Sequence, residues 1–317
     1  MSSLTSGLRL RRMAGTRSSA RPVRKSRPAK VAPAPIQPGG PQETVAVASS
    51  VLTMIAVVSL WFLVQVLFLS GFSAERQQRI NYDHFRQELA AATAPTGPVV
   101  PVGTPVALLS IPSLGLQQVV TEGTASGDLL GGPGHRRDTV IPGQKGVSVV
   151  YGRAATYGAP FKRISELQPK DRIVVQSSQG LTVFRVDAVR RAGDKLTPPP
   201  TAEQARITLV SAHAHGRLAA LQGSEAIFVD ATAKKGFDFP AGRPLAVPAS
   251  EKAMANDPGA LPMLALVLGL LVALTYAVIQ ARRFLSATLV WVMASPVAVA
   301  LAWFTTDQVM RLLPNLL

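Results

Sequence analysis

Three long stretches of the chain are apolar and uncharged, and a more polar region separates the first from the other two. They are Val45–Gly71, Pro258–Ala281 and Phe284–Thr306. A helix crosses the hydrocarbon core of a bilayer with about 20 apolar residues. A cleaved signal peptide has a shorter apolar core of about 7–15 residues behind a short basic start. The pattern therefore predicts three transmembrane helices, an N-terminal signal anchor and a C-terminal hairpin; the alternative for the hairpin is a buried helix pair of a soluble protein.

Charge is distributed so that it orients these helices. Residues 1–44 contain nine of the Lys and Arg residues and a single acid, within a Ser/Ala/Pro-rich composition typical of disorder. Arg282 and Arg283 lie between the second and third apolar stretches. The positive-inside rule places both basic segments in the cytoplasm, and the polar region outside. We expect a disordered basic cytoplasmic tail, location in the cell membrane with membrane lipid as a partner, and no binding to nucleic acid.

The polar region divides by composition into a domain and its two connections. Residues 72–104 predict a polar juxtamembrane helix followed by a Pro/Gly linker, and 105–232 predict a β domain. Residues 233–257 form a second linker, and 307–317 predict a short extracytoplasmic tail on the outer membrane interface.

Short β-type runs recur through the domain between turn signals. Alternation is clearest where Phe184, Val186 and Ala188 interleave with Arg185 and Asp187, as in a half-buried strand. The segment Ser178-Gln179-Gly180 predicts a hairpin turn before this run. Strands at such spacing favour a closed barrel or a sandwich. The runs are Val106–Ile111, Gly146–Tyr151, Ile173–Gln176, Thr182–Val189, Ile207–Ala212 and Ala226–Val229.

Two segments of the domain carry the candidate chemistry. One is Thr208-Leu209-Val210-Ser211-Ala212, and the other is Gly152-Arg153 followed by Tyr157-Gly158-Ala159-Pro160-Phe161. They resemble the two catalytic segments of the sortases, the cysteine transpeptidases of Gram-positive cell surfaces. In that family the first segment is typically Thr-Leu-x-Thr-Cys, and the second carries Gly-His-Arg before Tyr-Gly-Ala-Pro-Phe.

Further blocks extend the resemblance over nearly all of the domain. Five segments are similar to successive blocks of the family: residues 107–116, 119–124, 131–135, 141–146 and 167–173. Their sequence pattern is nearest to that of actinobacterial class D and class E sortases. The resemblance implies an all-β sortase-like closed β-barrel, here carried with three transmembrane α-helices. It implies nothing about the two C-terminal helices.

The same resemblance shows that the catalytic residues are missing. The family uses a Cys nucleophile, a His acid/base and an Arg that stabilises the oxyanion. Ala212 stands at the Cys position and Arg153 at the His position, and the chain has no cysteine. No Arg opens the last predicted strand near Ser224-Glu225-Ala226, and Arg217 lies earlier, in the preceding loop. A thiolate mechanism needs a thiol, and arginine keeps its proton at physiological pH, so the sequence predicts no catalytic residue.

Other chemistries remain open at this site. Ser211 with His213 or His215 forms a serine–histidine alternative, although Ser211 faces away from a groove that Ala212 faces. Positive charge at Arg153 and Arg217, beside Tyr157, His213 and His215, predicts binding of an anionic ligand or acidic peptide. Arg136, Arg137, Lys162 and Arg163 extend this positive charge at the groove, and the alternative is a mildly basic solvated surface. We expect no metal and no cofactor, and a structural role for His135.

These observations favour a membrane-anchored, sortase-like protein of the cell envelope without transpeptidase activity. It would act as a binding, scaffold or accessory subunit, with envelope peptides or other membrane proteins as partners. Two alternatives stand beside this hypothesis: an unconventional sortase-fold transpeptidase or hydrolase that uses Ser211, and a regulator that competes with active sortases for sorting signals.

Overall fold

Residues 58–97, 99–212 and 225–317 are described by the structure, which is a computed structural model. They all belong to one compact unit, residues 53–317. The basic tail, the first part of the first apolar stretch and the segment 213–224 lie outside the described residues. The segment 213–224 contains His213, His215 and Arg217.

The domain is an eight-stranded closed β-barrel. Around the barrel the strands follow the order β1-β2-β3-β4-β7-β8-β6-β5, and β5 pairs with β1 to close it. The pairs β2–β3 and β4–β7 are parallel, and the other pairs are antiparallel. The strands are β1 Pro105–Ile111, β2 Leu116–Glu122, β3 Gly134–His135, β4 Gly146–Tyr151, β5 Arg172–Ser177, β6 Gly180–Arg191, β7 Ala205–Ala212 and β8 Ala226–Ala233.

Alternating apolar side chains fill the barrel. Phe184 and Val186 are buried while Arg185 and Asp187 face outward, as the sequence pattern predicted, until a bulge follows Val186. The predicted hairpin turn is also confirmed, because β5 ends at Ser177 and β6 begins at Gly180. Gly180 has φ +138°, a conformation that side chains disfavour.

Two strands were not among the six predicted runs. Strand β2 contains Gln117, Gln118 and Thr121, so its apolar positions do not alternate regularly. Strand β3 has only two residues, too few for any periodic pattern.

The polar helix predicted after the first apolar stretch continues directly from it. Residues 58–64 are helical, Gln65–Leu69 form a π-helical turn, and helix α1 spans Ser70–Ala90. The helix packs on the barrel rather than standing free in solvent. Phe85 is buried, and the Gln78 amide donates to the main-chain oxygens of Val119 at 3.1 Å and Gly131 at 2.8 Å.

Two further helices form an antiparallel pair after the barrel. Helix α2 spans Leu261–Ala281 and helix α3 spans Ala287–Arg311. Residues Pro258–Ala281 and Thr288–Arg311 are long and apolar enough to cross a membrane, with mean hydropathies of 2.4 and 1.7. The Asp257 N–H donates to the Arg311 oxygen at 2.9 Å. The start of α2 and the end of α3 therefore meet, and Arg282 and Arg283 lie at the opposite end of the pair.

The last residues, which composition predicted as a tail on the outer membrane interface, contact the barrel. Helix α3 continues to Arg311, and residues 312–317 then pack against Tyr151 of β4 and Val210 and Ala212 of β7, in a cluster separate from the barrel core. We call residues 312–317 the strap.

Candidate functional site

Strand pairing brings the two sortase-like segments together at one end of the barrel. Strands β4 and β7 run parallel with Tyr151 opposite Val210, and the Gly152 N–H donates to the Val210 oxygen at 3.0 Å. Arg153 and Ala212 each lie two residues beyond that pair. The juxtaposition that the motifs implied is therefore present in the structure.

Arg153 is completely buried and directs its donors at oxygen atoms of the protein. Its Nη1 donates to Thr156 Oγ1 at 3.1 Å and to the Leu317 main-chain oxygen at 3.0 Å. Its Nη2 donates to the oxygen and to Oγ of Ser126, both at 2.9 Å. Its Nε finds no partner among the described residues, and the guanidinium carbon lies 5.5 Å from the centre of the Tyr157 ring.

The charge of Arg153 has no carboxylate within ion-pair distance among side chains in the described ranges. Burial lowers the pKa of its guanidinium to about 10. The group therefore still carries its proton at neutral pH and cannot act there as a base.

Ala212 is the last residue of β7 and belongs to a buried apolar cluster that is separate from the barrel core. It pairs with Ala226, the first residue of β8, and is 4% exposed. The cluster also contains Leu316 and Leu317 of the strap. Apolar side chains of the strap therefore occupy the space next to the position at which the family resemblance places a nucleophile. The remaining buried members of the cluster are Leu129, Tyr151, Ala154 and Val210.

Polar contacts hold the strap as well. The Ala154 N–H donates to the Leu316 oxygen at 3.0 Å, and the Asn315 N–H donates to the Ala255 oxygen at 2.9 Å. The Asn315 side-chain amide donates to the oxygens of Thr124 at 2.8 Å and Lys252 at 2.9 Å. Asn315 is fully buried. Sequence analysis missed these residues, because a short, half-apolar segment carries no signal that distinguishes burial against a barrel from contact with a membrane.

Ser211 is oriented away from this site. It is fully buried, and its Oγ donates to the Gly152 oxygen at 2.8 Å. A hydroxyl fixed in this way is not accessible to a substrate. Its proposed partners His213 and His215 lie outside the described residues, as does Arg217.

Tyr157 connects the site to the helices. Its hydroxyl donates to the carboxylate of Asp307, and its N–H donates to Ser70 Oγ at 3.2 Å. Burial raises the pKa of the Tyr157 phenol. The phenol therefore stays neutral at physiological pH and serves as a fixed donor between the barrel and α3.

Three of the basic side chains considered for a charged groove are engaged by carboxylates. Arg136 contacts Asp138 at 2.6 Å, Arg137 Nε contacts Glu251 at 3.0 Å, and Arg163 contacts Glu166 at 2.7 Å. This arrangement fits the basic-surface alternative at those positions.

His135 has the structural role predicted for it. Its Nδ1 lies 2.8 Å from Glu122 Oε2, and its Nε2 lies 2.8 Å from the Val140 oxygen. Within the described ranges, no group of three or more His, Cys, Asp and Glu side chains could hold a metal ion.

A family model matches most of the barrel domain. Residues 109–256 match the family model described as "Sortase domain". No curated protein matches the chain.

Several solved structures are similar to the chain. A Clostridium perfringens sortase D5 transpeptidase is 19% identical, with 51% of this chain and 98% of that chain covered and a TM-score of 0.40. The SrtF sortase from Corynebacterium diphtheriae is 22% identical, with 49% and 96% covered and a TM-score of 0.37. Sortase E1 from Streptomyces coelicolor, with a tripeptide in its active site, is 22% identical, with 44% and 92% covered and a TM-score of 0.35.

Proposed function

The β-barrel domain of this chain belongs to the sortase family, and from that premise we propose that the protein is a membrane-anchored sortase-fold subunit that does not catalyse transpeptidation. Its barrel serves instead as a binding or scaffold unit of the cell envelope. The partners are envelope peptides or other membrane proteins.

One observation carries the proposal: Ala212 and Arg153 stand together where the family resemblance places the nucleophile and the acid/base. Acyl transfer through a thioester needs a thiolate, and a methyl group supplies no attacking atom. Protonation of the leaving amine needs a group that gives up a proton near neutral pH. With a pKa of about 10 and its donors directed at oxygen atoms of Ser126, Thr156 and Leu317, Arg153 is a structural cation.

A binding role is supported by what already occupies this end of the barrel. The strap lies there as a peptide segment, held through main-chain oxygens, one side-chain amide and two leucine side chains. A site of this construction recognises peptide by hydrogen bonds and apolar burial, without a reactive group.

A peptide-cleavage assay tests the proposal. The full chain in detergent is incubated with peptides of the Leu-Pro-x-Thr-Gly and Leu-Ala-x-Thr-Gly types, with and without an amine acceptor, and the products are resolved by mass spectrometry. We expect no cleavage and no transfer. Ser211→Ala is assayed beside Ser148→Ala, a matched change at a buried serine on the adjacent strand. Turnover that is lost only in Ser211→Ala would replace the proposal with the serine mechanism.

The membrane orientation is a separate part of the proposal. The barrel lies outside and the N-terminus inside, because the basic tail and the Arg282–Arg283 turn satisfy the positive-inside rule together. The pairing of the barrel-side ends of α2 and α3 supports it, since Arg282 and Arg283 then lie at the end of the helix pair that is away from the barrel. Reporter fusions at residues 30, 200 and 283 test this orientation, and cytoplasmic activity at residue 200 would contradict it.

A further inference from the structure

The strap is bound as a ligand is bound, by groups that lie far from it in sequence. Asn315 provides the polar anchor, because its side-chain amide bridges the oxygens of Thr124 and Lys252 in a fully buried position. Buried donors of this kind discriminate, since a side chain without an N–H or O–H donor leaves both oxygens unpaired.

The following two residues provide the apolar part of the contact. Leu316 is fully buried and Leu317 is 5% exposed, in the cluster with Ala212 and Ala226. The Leu317 oxygen also accepts from Thr156 Oγ1 at 2.7 Å, beside Arg153. Along the strap, the site therefore selects an asparagine, two leucine-sized side chains and a main-chain oxygen.

The strap is also tied to a helix that is long enough to span a membrane. Ser126 Oγ donates to the oxygens of Met310 at 2.9 Å and Leu313 at 3.1 Å, one at the end of α3 and the other in the strap. Ser126, which also accepts from Arg153, therefore joins the end of α3 and the start of the strap to the barrel.

We propose that this end of the barrel is a peptide-binding site for turn-forming segments in which an asparagine precedes two leucine-like residues, as in the strap, whose Leu317 N–H donates to the Pro314 oxygen at 3.3 Å, and that the strap is its built-in competitor. The inference deepens the proposed function and rests on it, because it names the kind of peptide that the non-catalytic site takes. A partner segment of this chemistry binds when the strap leaves.

The test compares the full chain with a variant that lacks residues 312–317. A fluorescein-labelled synthetic peptide of residues 312–317 is titrated with each protein in detergent, and binding is followed by fluorescence anisotropy. We expect the strap-free variant to bind the peptide at least about tenfold more tightly than the full chain, because a tethered competitor acts at a high effective concentration. A peptide with alanine in place of Asn315 should bind about tenfold more weakly, since two hydrogen bonds are lost.

Two site variants locate the binding. In the strap-free protein, Ala212→Trp should abolish binding by filling the cluster, and Leu181→Trp, at an exposed position on β6, should leave it unchanged. Equal binding by both proteins, or binding that Ala212→Trp does not affect, would overturn the inference.

A second variant controls for misfolding of the deletion variant. It carries a specific protease site between Arg311 and Leu312, so that the strap is present during folding and is cut afterwards. We expect the labelled peptide to exchange into the cut protein and not into the uncut one, and absence of exchange overturns the inference. Peptide mass is checked in every sample, because cleavage would refute the non-catalytic proposal while leaving peptide binding intact.

Discussion

Replacing Asn315 by aspartate should release the strap with almost no change in shape. The amide nitrogen that now donates to the Thr124 and Lys252 oxygens becomes an oxygen that faces two acceptors. Holding the buried carboxyl in its neutral form at pH 7, from an ordinary pKa near 3.9, costs about 4 kcal/mol. A protonated carboxyl restores one donor, so the second lost hydrogen bond adds about 1 kcal/mol. We therefore expect strap docking to weaken by about 5 kcal/mol.

The absence of cysteine in the chain provides the assay. A single Leu316→Cys change puts a unique thiol in the buried part of the strap, and its labelling by a maleimide reports how often the strap is open. Adding Asn315→Asp should raise the labelling rate at least about 100-fold at pH 7, since each 1.4 kcal/mol is a factor of ten. The cost of docking arises because the carboxyl introduced by Asn315→Asp has a higher pKa in the docked strap than in the free strap. The enhancement should therefore shrink as pH falls toward 5, relative to a free peptide at the same pH.

A thiol inside the barrel separates strap release from unfolding. Val175→Cys lies in the barrel core and should stay protected in the Asn315→Asp background. Equal labelling of the Leu316→Cys thiol with and without Asn315→Asp would refute the assigned role of the asparagine. Loss of protection at position 175 would show that the change acts through the whole barrel.

Two further changes test the polar contacts around the site. Burial raises the pKa of Asp128 to about 6. The stability that this carboxyl contributes is therefore present below about pH 4 and is lost as pH rises through 6. In Asp128→Asn the amide oxygen can still accept from the Ala125 N–H. Thermal unfolding should give this variant the wild-type unfolding free energy at pH 4 and a value about 1–2 kcal/mol higher than the wild type at pH 7.5. Tyr157→Phe removes the donor to the partly buried Asp307 carboxylate and should lower the unfolding free energy at pH 7.5 by about 2 kcal/mol. An unchanged unfolding temperature would show that the link between the barrel and α3 carries no stability.

Local pattern predicted six of the eight strands and the two segments of the site, and the family resemblance supplied the closed barrel. The run that ends at Ala212 and the segment after Gly152 are each recognisable alone, and parallel pairing of β4 with β7 then places them side by side. Alternation predicted part of the long strand β6, since Phe184 and Val186 face the core and Arg185 and Asp187 face outward, until the bulge after Val186 interrupts the period of two.

Local sequence pattern could not predict that the strap occupies the site. Arg153 and Leu317 are 164 residues apart, and neither carries a local signal of the other. The sequence suggested a charged groove at Arg153, whereas the structure shows a buried guanidinium whose donors meet protein oxygens. Composition alone could not distinguish these cases, because two of the acceptors, at Ser126 and Leu317, come from distant parts of the chain.

Turnover by the strap-free chain tests the central claim most directly. In the full chain, an inactive site has two explanations: the chemistry is missing, or the strap blocks it. The variant that lacks residues 312–317 removes the second explanation while keeping Ala212 and Arg153. Incubated with peptides of the Leu-Pro-x-Thr-Gly type, it should give neither cleaved peptide nor acyl-protein by mass spectrometry. Cleavage, or a covalent acyl adduct on the protein, would contradict the account and identify the strap as the inhibitor of an active enzyme.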